Sequence, residues 1–239
     1  MIALRSILGA TAASLLATSA LAQAITSPAQ PAAMAAFDIV KTQVASDGAD
    51  VVFTVQVRGK AGELKPKAVG QFAGSAVYSY VWPTSLDSAT VGFDSAQGIL
   101  ALAVTFHPDF DDGAGGAVNR HVWHPHWVVL TPDEACGPKA LKVKDIPEGA
   151  KPKLPATWPG VPLLIDSPTY PTTLATDTVQ VKVPASVIGA LEGVKFDGVT
   201  SALKVNANLH APLLCISDVF DVASGDLSLP GKVTTSHTH

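Results

Sequence analysis

The sequence predicts a single all-β domain, a β-sandwich or barrel-like fold with short helices and one disulfide. Three observations lead there. Through residues 51–57 apolar and polar side chains alternate, so Val51, Phe53, Val55 and Val57 share one face against Val52, Thr54 and Gln56. The other apolar runs are short, β-branched or aromatic, and bounded by Gly, Pro, Asp or Ser. No long helical pattern separates them, which suits a sandwich or barrel of about 200 residues rather than an α/β sheet.

The elements follow in order. Residues 23–36 form a Pro/Ala-rich leader. Residues 37–44 and 51–57 read as strands joined through Ala45, Ser46, Asp47 and Gly48, and the Asp-Gly pair marks a hairpin turn. Further strands are expected at 76–82, 99–106, 127–131, 140–143, 178–183, 203–209 and 213–219. A short helix is expected at 186–192. The proline-rich stretch 151–162 reads as a rigid surface crossing. The domain is expected to run over 37–232, with a polar tail at 233–239.

Composition narrows the function classes. The chain has 239 residues, 47% of them hydrophobic and 15% charged, with a formal net charge of −4. Enough apolar surface is present to bury a core, which excludes a disordered or fibrous chain. The acidic balance and the lack of any Lys/Arg cluster exclude a nucleic-acid partner.

The N-terminus reads as an export signal over residues 1–22. Arg5 supplies the positive start, an Ala/Leu-rich apolar segment follows, and Ala20-Leu21-Ala22 is a small-x-small cleavage site. The apolar segment is too short to span a bilayer of about 30 Å, so no transmembrane segment is expected. A periplasmic or secreted location lets the two cysteines, Cys136 and Cys215, pair. Closing a loop of about 80 residues is worth roughly 4 kcal/mol in the chain-entropy model.

The unusual region is 105–127, TFHPDFDDGAGGAVNRHVWHPHW, which holds His107, His121, His124 and His126. Residues i and i+2 on an extended segment point to one face about 6.6 Å apart, so His124 and His126 can converge on one ion. Pro125 between them lacks a backbone donor, which places the segment on an edge or in a loop. His107 ends the preceding strand across a Gly-rich connection. Pairing of the two strands would bring it back to His124 and His126, with His121 as a fourth candidate. His210 stands alone and reads as structural, and His237 and His239 lie in the tail.

Imidazole ligands suit copper(II), zinc or nickel. The only methionine after the signal is Met34, so a Met-rich copper(I) site cannot be built. Asp109, Asp111 and Asp112 stand beside the histidines and offer a calcium alternative, although they lack EF-hand spacing. Trp123 and Trp127 flank the His-x-His pair, where they either pack or take part in redox chemistry at the metal.

The stretch His121-Val122-Trp123-His124-Pro125-His126-Trp127 resembles the secreted copper-binding proteins of methanotrophs, the MopE/CorA family. That resemblance implies a β-rich domain on which two histidines and an oxidised tryptophan hold one copper ion. His121 and Trp123 match the family's His-x-Trp pairing, and the His124/His126 pair is the other ligand choice.

Other classes fit less well. A cupin would need a Glu four or five positions after the second His, where Leu130 and Thr131 stand. Copper–zinc superoxide dismutases share an HxH strand and a disulfide, but their other ligand segments are absent. No G-x-S-x-G, H-E-x-x-H or P-loop occurs. The expectation is an exported copper-binding protein that captures or buffers metal through its His cluster. The alternatives are a β-sandwich binding module with a structural cluster and a mononuclear metal oxidase or dioxygenase. An enclosed pocket beside the cluster would favour the enzyme, and a shallow exposed cluster would favour capture.

Overall fold

The computed structural model describes residues 23–31, 33–206 and 213–233. The expected signal, the tail histidines His237 and His239, and His210 lie outside the described residues. In chain order the strands are β1 (Ile25–Thr26), β2 (Ile39–Asp47), β3 (Asp50–Val57), β4 (Ala76–Pro83) and β5 (Ile99–Phe106). Then come β6 (His124–Pro132), β7 (Leu141–Val143), β8 (Ile165–Asp166), β9 (Thr172–Ala175) and β10 (Thr178–Pro184). A short helix, α1 (Ala185–Ile188), precedes β11 (Lys195–Phe196), β12 (Val199–Val205), β13 (Leu214–Val222) and β14 (Gly231–Lys232).

The hairpin β2–β3 turns at Asp47 to Asp50, where Gly48 takes the left-handed φ of 62° that a side chain would resist. Its buried stripe of Val51, Phe53, Val55 and Val57 continues in Val179, Val181 and Val183, because β10 pairs antiparallel with β3 along its whole length. These strands form a five-stranded sheet in the order β1-β2-β3-β10-β9.

The second sheet closes on itself. It runs β5-β4-β12-β13-β7-β6, and β5 also pairs with β6, so the six strands make a barrel with β8 added beside β6. β5 reads ILALAVTF, a nearly continuous apolar run, because both of its faces are buried. Leu100, Leu102 and Val104 face the five-stranded sheet and join Phe53, Trp82, Trp127 and Val129 in an outer core. Ala101 and Ala103 point the other way and meet Val77, Val81, Val128, Leu130, Val199 and Leu203 inside the barrel. The same strands therefore serve two cores by period-two alternation.

Cys136 and Cys215 are bonded, with their Cα atoms 5.5 Å apart. The bond ties the turn between β6 and β7 to β13 and so braces the barrel wall.

Several expected bounds shift. The helix expected at 186–192 stops at Ile188, because Gly189 adopts φ 73° and ends the turn. The strand expected at 203–209 begins at Val199, and residues 207–209 lie outside the described residues. Phe37 precedes its strand in a turn, fully buried against Tyr78, Tyr80 and Phe220. Part of the expected leader joins the sheet, since Ile25 and Thr26 pair with Thr42 and Lys41. The exposed edge strand β9 went unnoticed because TTLA has too little apolar content to signal a strand.

Candidate metal centre

Strand pairing assembles the site. In the β5–β6 register Ala103 faces His126 and Thr105 faces His124. Period two carries the inward face on to the next odd position, His107, just past the end of β5. Three imidazoles thus gather at one end of the barrel. Residues 124–126 have no strand partner on the side away from β5, where a proline without an N–H is tolerated.

The connection between the strands folds back and supplies a carboxylate. Asp109 accepts from the backbone N–H groups of Val69 and Gly70, at 2.9 and 2.7 Å. Asp111 accepts from those of Asn119 and Arg120, at 2.7 and 2.8 Å. Only Asp112 turns to the imidazoles, steadied by the Asn119 side-chain amide at 2.8 Å. The three neighbouring acids therefore do not build an oxygen cage; two of them fix the loop that aims the third.

The four ligand atoms converge. The Nε2 atoms of His107 and His124 stand 3.1 Å apart. Asp112 Oδ1 is 3.1 Å from His124 Nε2 and 3.3 Å from His107 Nε2, and Asp112 Oδ2 is 3.4 Å from His126 Nε2. All four residues place a ligand atom within 4.8 Å of one another. A tetrahedral ion with bonds of about 2.0 Å has ligand–ligand edges of about 3.3 Å, so the short contacts are of the size that an ion would set. The side chains of His107 and His126 are 1% exposed, Asp112 is 7% and His124 is 11%.

The outer hydrogen bonds fix the tautomers. His107 Nδ1 donates to the Phe110 carbonyl at 2.8 Å, and His124 Nδ1 to the Val122 carbonyl at 2.9 Å. His126 Nδ1 donates to the Asp166 carbonyl at 3.1 Å and shares its proton with Ser167 Oγ at 3.0 Å. Ser167 in turn donates to the Asp112 carbonyl. With every Nδ1 carrying its proton, each Nε2 offers a lone pair to the centre, the arrangement that metal-ligating histidines adopt. Phe110 stacks on His107, with ring centroids 4.1 Å apart, and holds its plane.

The charges point the same way. Burial pushes His126 down to about 4, so its imidazole is neutral at physiological pH. Burial alone would raise the Asp112 carboxyl, but the facing imidazoles, His126 first, hold it well below the usual carboxylate range. His126 Nε2 is itself buried with no hydrogen-bond partner among the described residues. An ionised, desolvated group in such a setting calls for a cation. The cluster is able to hold a metal ion.

The other sequence candidates sit elsewhere. His121 is exposed in a turn and lies outside the converging group. Trp123 donates from Nε1 to the Gly62 carbonyl at 3.2 Å and packs on Tyr80 and Phe106. Trp127 is fully buried in the outer core, edge-on to Phe53. Sequence reasoning placed Asp112 only in an oxygen-ligand alternative; its pairing with three histidines has no spacing signature. Phe110, Val122 and Asp166 act on the imidazoles through backbone carbonyls, which carry no residue-type signal.

No protein-family model matches the chain, and no curated protein or solved structure shows significant similarity to it.

Proposed function

We propose that this is an exported metalloprotein that holds one divalent transition-metal ion at His107, Asp112, His124 and His126. The observation that carries the reading is the convergence of three Nε2 lone pairs, each set by an Nδ1–H bond to a carbonyl, on one buried carboxylate. Copper(II) ranks first, because nitrogen-rich sites follow the Irving–Williams order, and zinc ranks second because three imidazoles and one carboxylate suit its tetrahedral preference. Calcium ranks last, since one carboxylate cannot satisfy an ion that takes six to eight oxygens. The signal-like N-terminus and the Cys136–Cys215 bond support export.

The depth of the cluster favours a resident ion over exchange at an open surface. The second reading, a mononuclear metal oxidase or dioxygenase, is supported by the cavity that adjoins the cluster inside the barrel. His107, Asp112 and His126 all line that cavity, which measures about 350 Å³. The orientation of Trp123, bonded to Gly62 and packed on aromatics, speaks for a three-histidine site over a His–Trp copper site.

The test is titration of tag-free protein with copper(II), zinc and calcium, followed by elemental analysis. One equivalent of copper(II) or zinc should bind, and His124→Ala or His126→Ala should each remove most of the affinity. The double variant should cost little more than either single one, because the ligands act as a unit. Unchanged affinity in the double variant would leave the cluster as structure.

A further inference from the structure

The barrel interior is not filled. Its walls carry small and medium apolar side chains, Val77, Ala103, Val128, Leu163, Val199 and Leu203 among them, around a cavity of about 350 Å³. Protein interiors leave few voids larger than a water molecule, whose share of liquid volume is about 30 Å³. An apolar cavity of about 150 Å³ is enough to take up benzene. The space here exceeds twice that.

Two further observations give the cavity a direction. At its inner end Thr105 is 7% exposed, and its Oγ1 has no hydrogen-bond partner among the described residues. Buried hydroxyls are ordinarily satisfied, and Thr105 sits opposite His124 on the inward face, beside the metal ligands. Where it meets solvent the lining includes Val219 and Leu227, both exposed. A hydrophobic rim at the solvent end is an entry suited to an apolar molecule.

We infer that the barrel binds a small, uncharged, mostly hydrocarbon molecule carrying one oxygen function, with the hydrocarbon among the apolar walls and the oxygen at Thr105 and the metal centre. The polarity of the lining selects this class. The inner end offers one unpaired hydroxyl and no cationic side chain for a carboxylate. Lys139 is the sole cation among the lining residues, and it is exposed. Occupation of the cavity stands without the ion; only the placing of the oxygen beside the ion rests on the metal reading.

The test uses 4-butylphenol and butylbenzene as probes, each titrated calorimetrically into the full mature chain with copper(II) bound and after chelation. Saturable binding of one 4-butylphenol per chain is expected in both forms, tighter than butylbenzene in both. Thr105→Val, which keeps the shape and removes the hydroxyl, should lower 4-butylphenol affinity about fivefold, the value of one hydrogen bond, and leave butylbenzene unchanged. Ala103→Leu, which intrudes on the space, should weaken both probes about tenfold or more. Absence of saturable binding in both forms overturns the inference, as does unaltered phenol binding in Thr105→Val, which decides alone if Ala103→Leu does not fold. Failure of the metal reading is seen separately, as metal titrations that His124→Ala leaves unchanged.

Discussion

The two cores of this protein are built by the same strands and differ in what fills them. Between the five-stranded sheet and the barrel lie large side chains: Phe37, Phe53, Tyr80, Trp82, Phe93, Trp127 and Phe196, each almost fully buried. Trp82 and Tyr80 have paired polar atoms, whereas Trp127 Nε1 has no hydrogen-bond partner among the described residues. Trp82 Nε1 donates to Thr42 Oγ1 at 3.1 Å, and Tyr80 donates to the Ala36 carbonyl while accepting from Gly62 N, both at 2.8 Å. The buried apolar side chains inside the barrel are Val, Leu, Ile and Ala, with no aromatic residue in that cluster. That side keeps open space, a hydroxyl with no partner among the described residues and a carboxylate among imidazoles. The difference teaches that one face of β4, β5 and β6 packs the fold together while the other borders open space and the histidine cluster.

The largest effect should come from the outer core. Trp82→Ala is expected to lower the unfolding free energy by about 3–5 kcal/mol, since it removes a large packed ring and its hydrogen bond. Leu203→Ala inside the barrel should cost only about 2 kcal/mol, because its neighbours already border empty space. Urea unfolding of both variants measures the contrast, and equal losses would break it.

A smaller pair of effects should attend Asp112→Asn. Metal affinity should fall by about a hundredfold, equivalent to about 2.7 kcal/mol, because the only anionic ligand is gone. The metal-free protein should also lose some stability near neutral pH, because the facing imidazoles hold the Asp112 carboxyl below its ordinary range, so the fold favours the ionised form. A competition titration and an unfolding curve on the same variant report both. Unchanged metal affinity would mean that Asp112 serves only the fold.

The remaining effects are in pH, and they separate the two cores at opposite ends of the scale. His126 in the metal-free fold titrates near 4, below its ordinary value of about 6.5. As pH falls from 6.5 to 4 the unfolded chain takes up a proton that the fold refuses, so stability falls with it. Asp112, held below the carboxylate range, adds a further loss under about pH 4, as its folded form is protonated last. Burial pushes Tyr80 in the outer core up to about 12. From about pH 10 to 12 the unfolded phenol ionises while the folded one does not, so stability falls again as pH rises. Unfolding curves across pH should therefore flatten between about pH 6.5 and 4 in His126→Gln, and flatten between about pH 10 and 12 in Tyr80→Phe. Each variant should leave the other slope in place.

The strand composition alone determined the class of fold. Alternation in β3 and the closely spaced apolar runs required a half-buried antiparallel sheet, since side chains on a strand must alternate faces. The Asp-Gly turn placed the first hairpin, and two cysteines behind an expected export signal were enough to anticipate their bond. The concentration of histidines between 107 and 126 was equally legible, because His-x-His on an extended segment puts both rings on one side. Tertiary structure alone decided the rest. Closure of β5 on β6 made the second sheet a barrel, and no local pattern encodes which strands meet at a seam. The same closure separated His107, His124 and His126 from His121, because only the first three lie on the inward face of paired strands. Asp112 joined them, and Asp109 and Asp111 did not, because backbone N–H groups that become available only on folding drew the other two carboxylates away. The carbonyls that orient each imidazole belong to Phe110, Val122 and Asp166, and a carbonyl has the same chemistry in every residue, so only the folded chain could assign them.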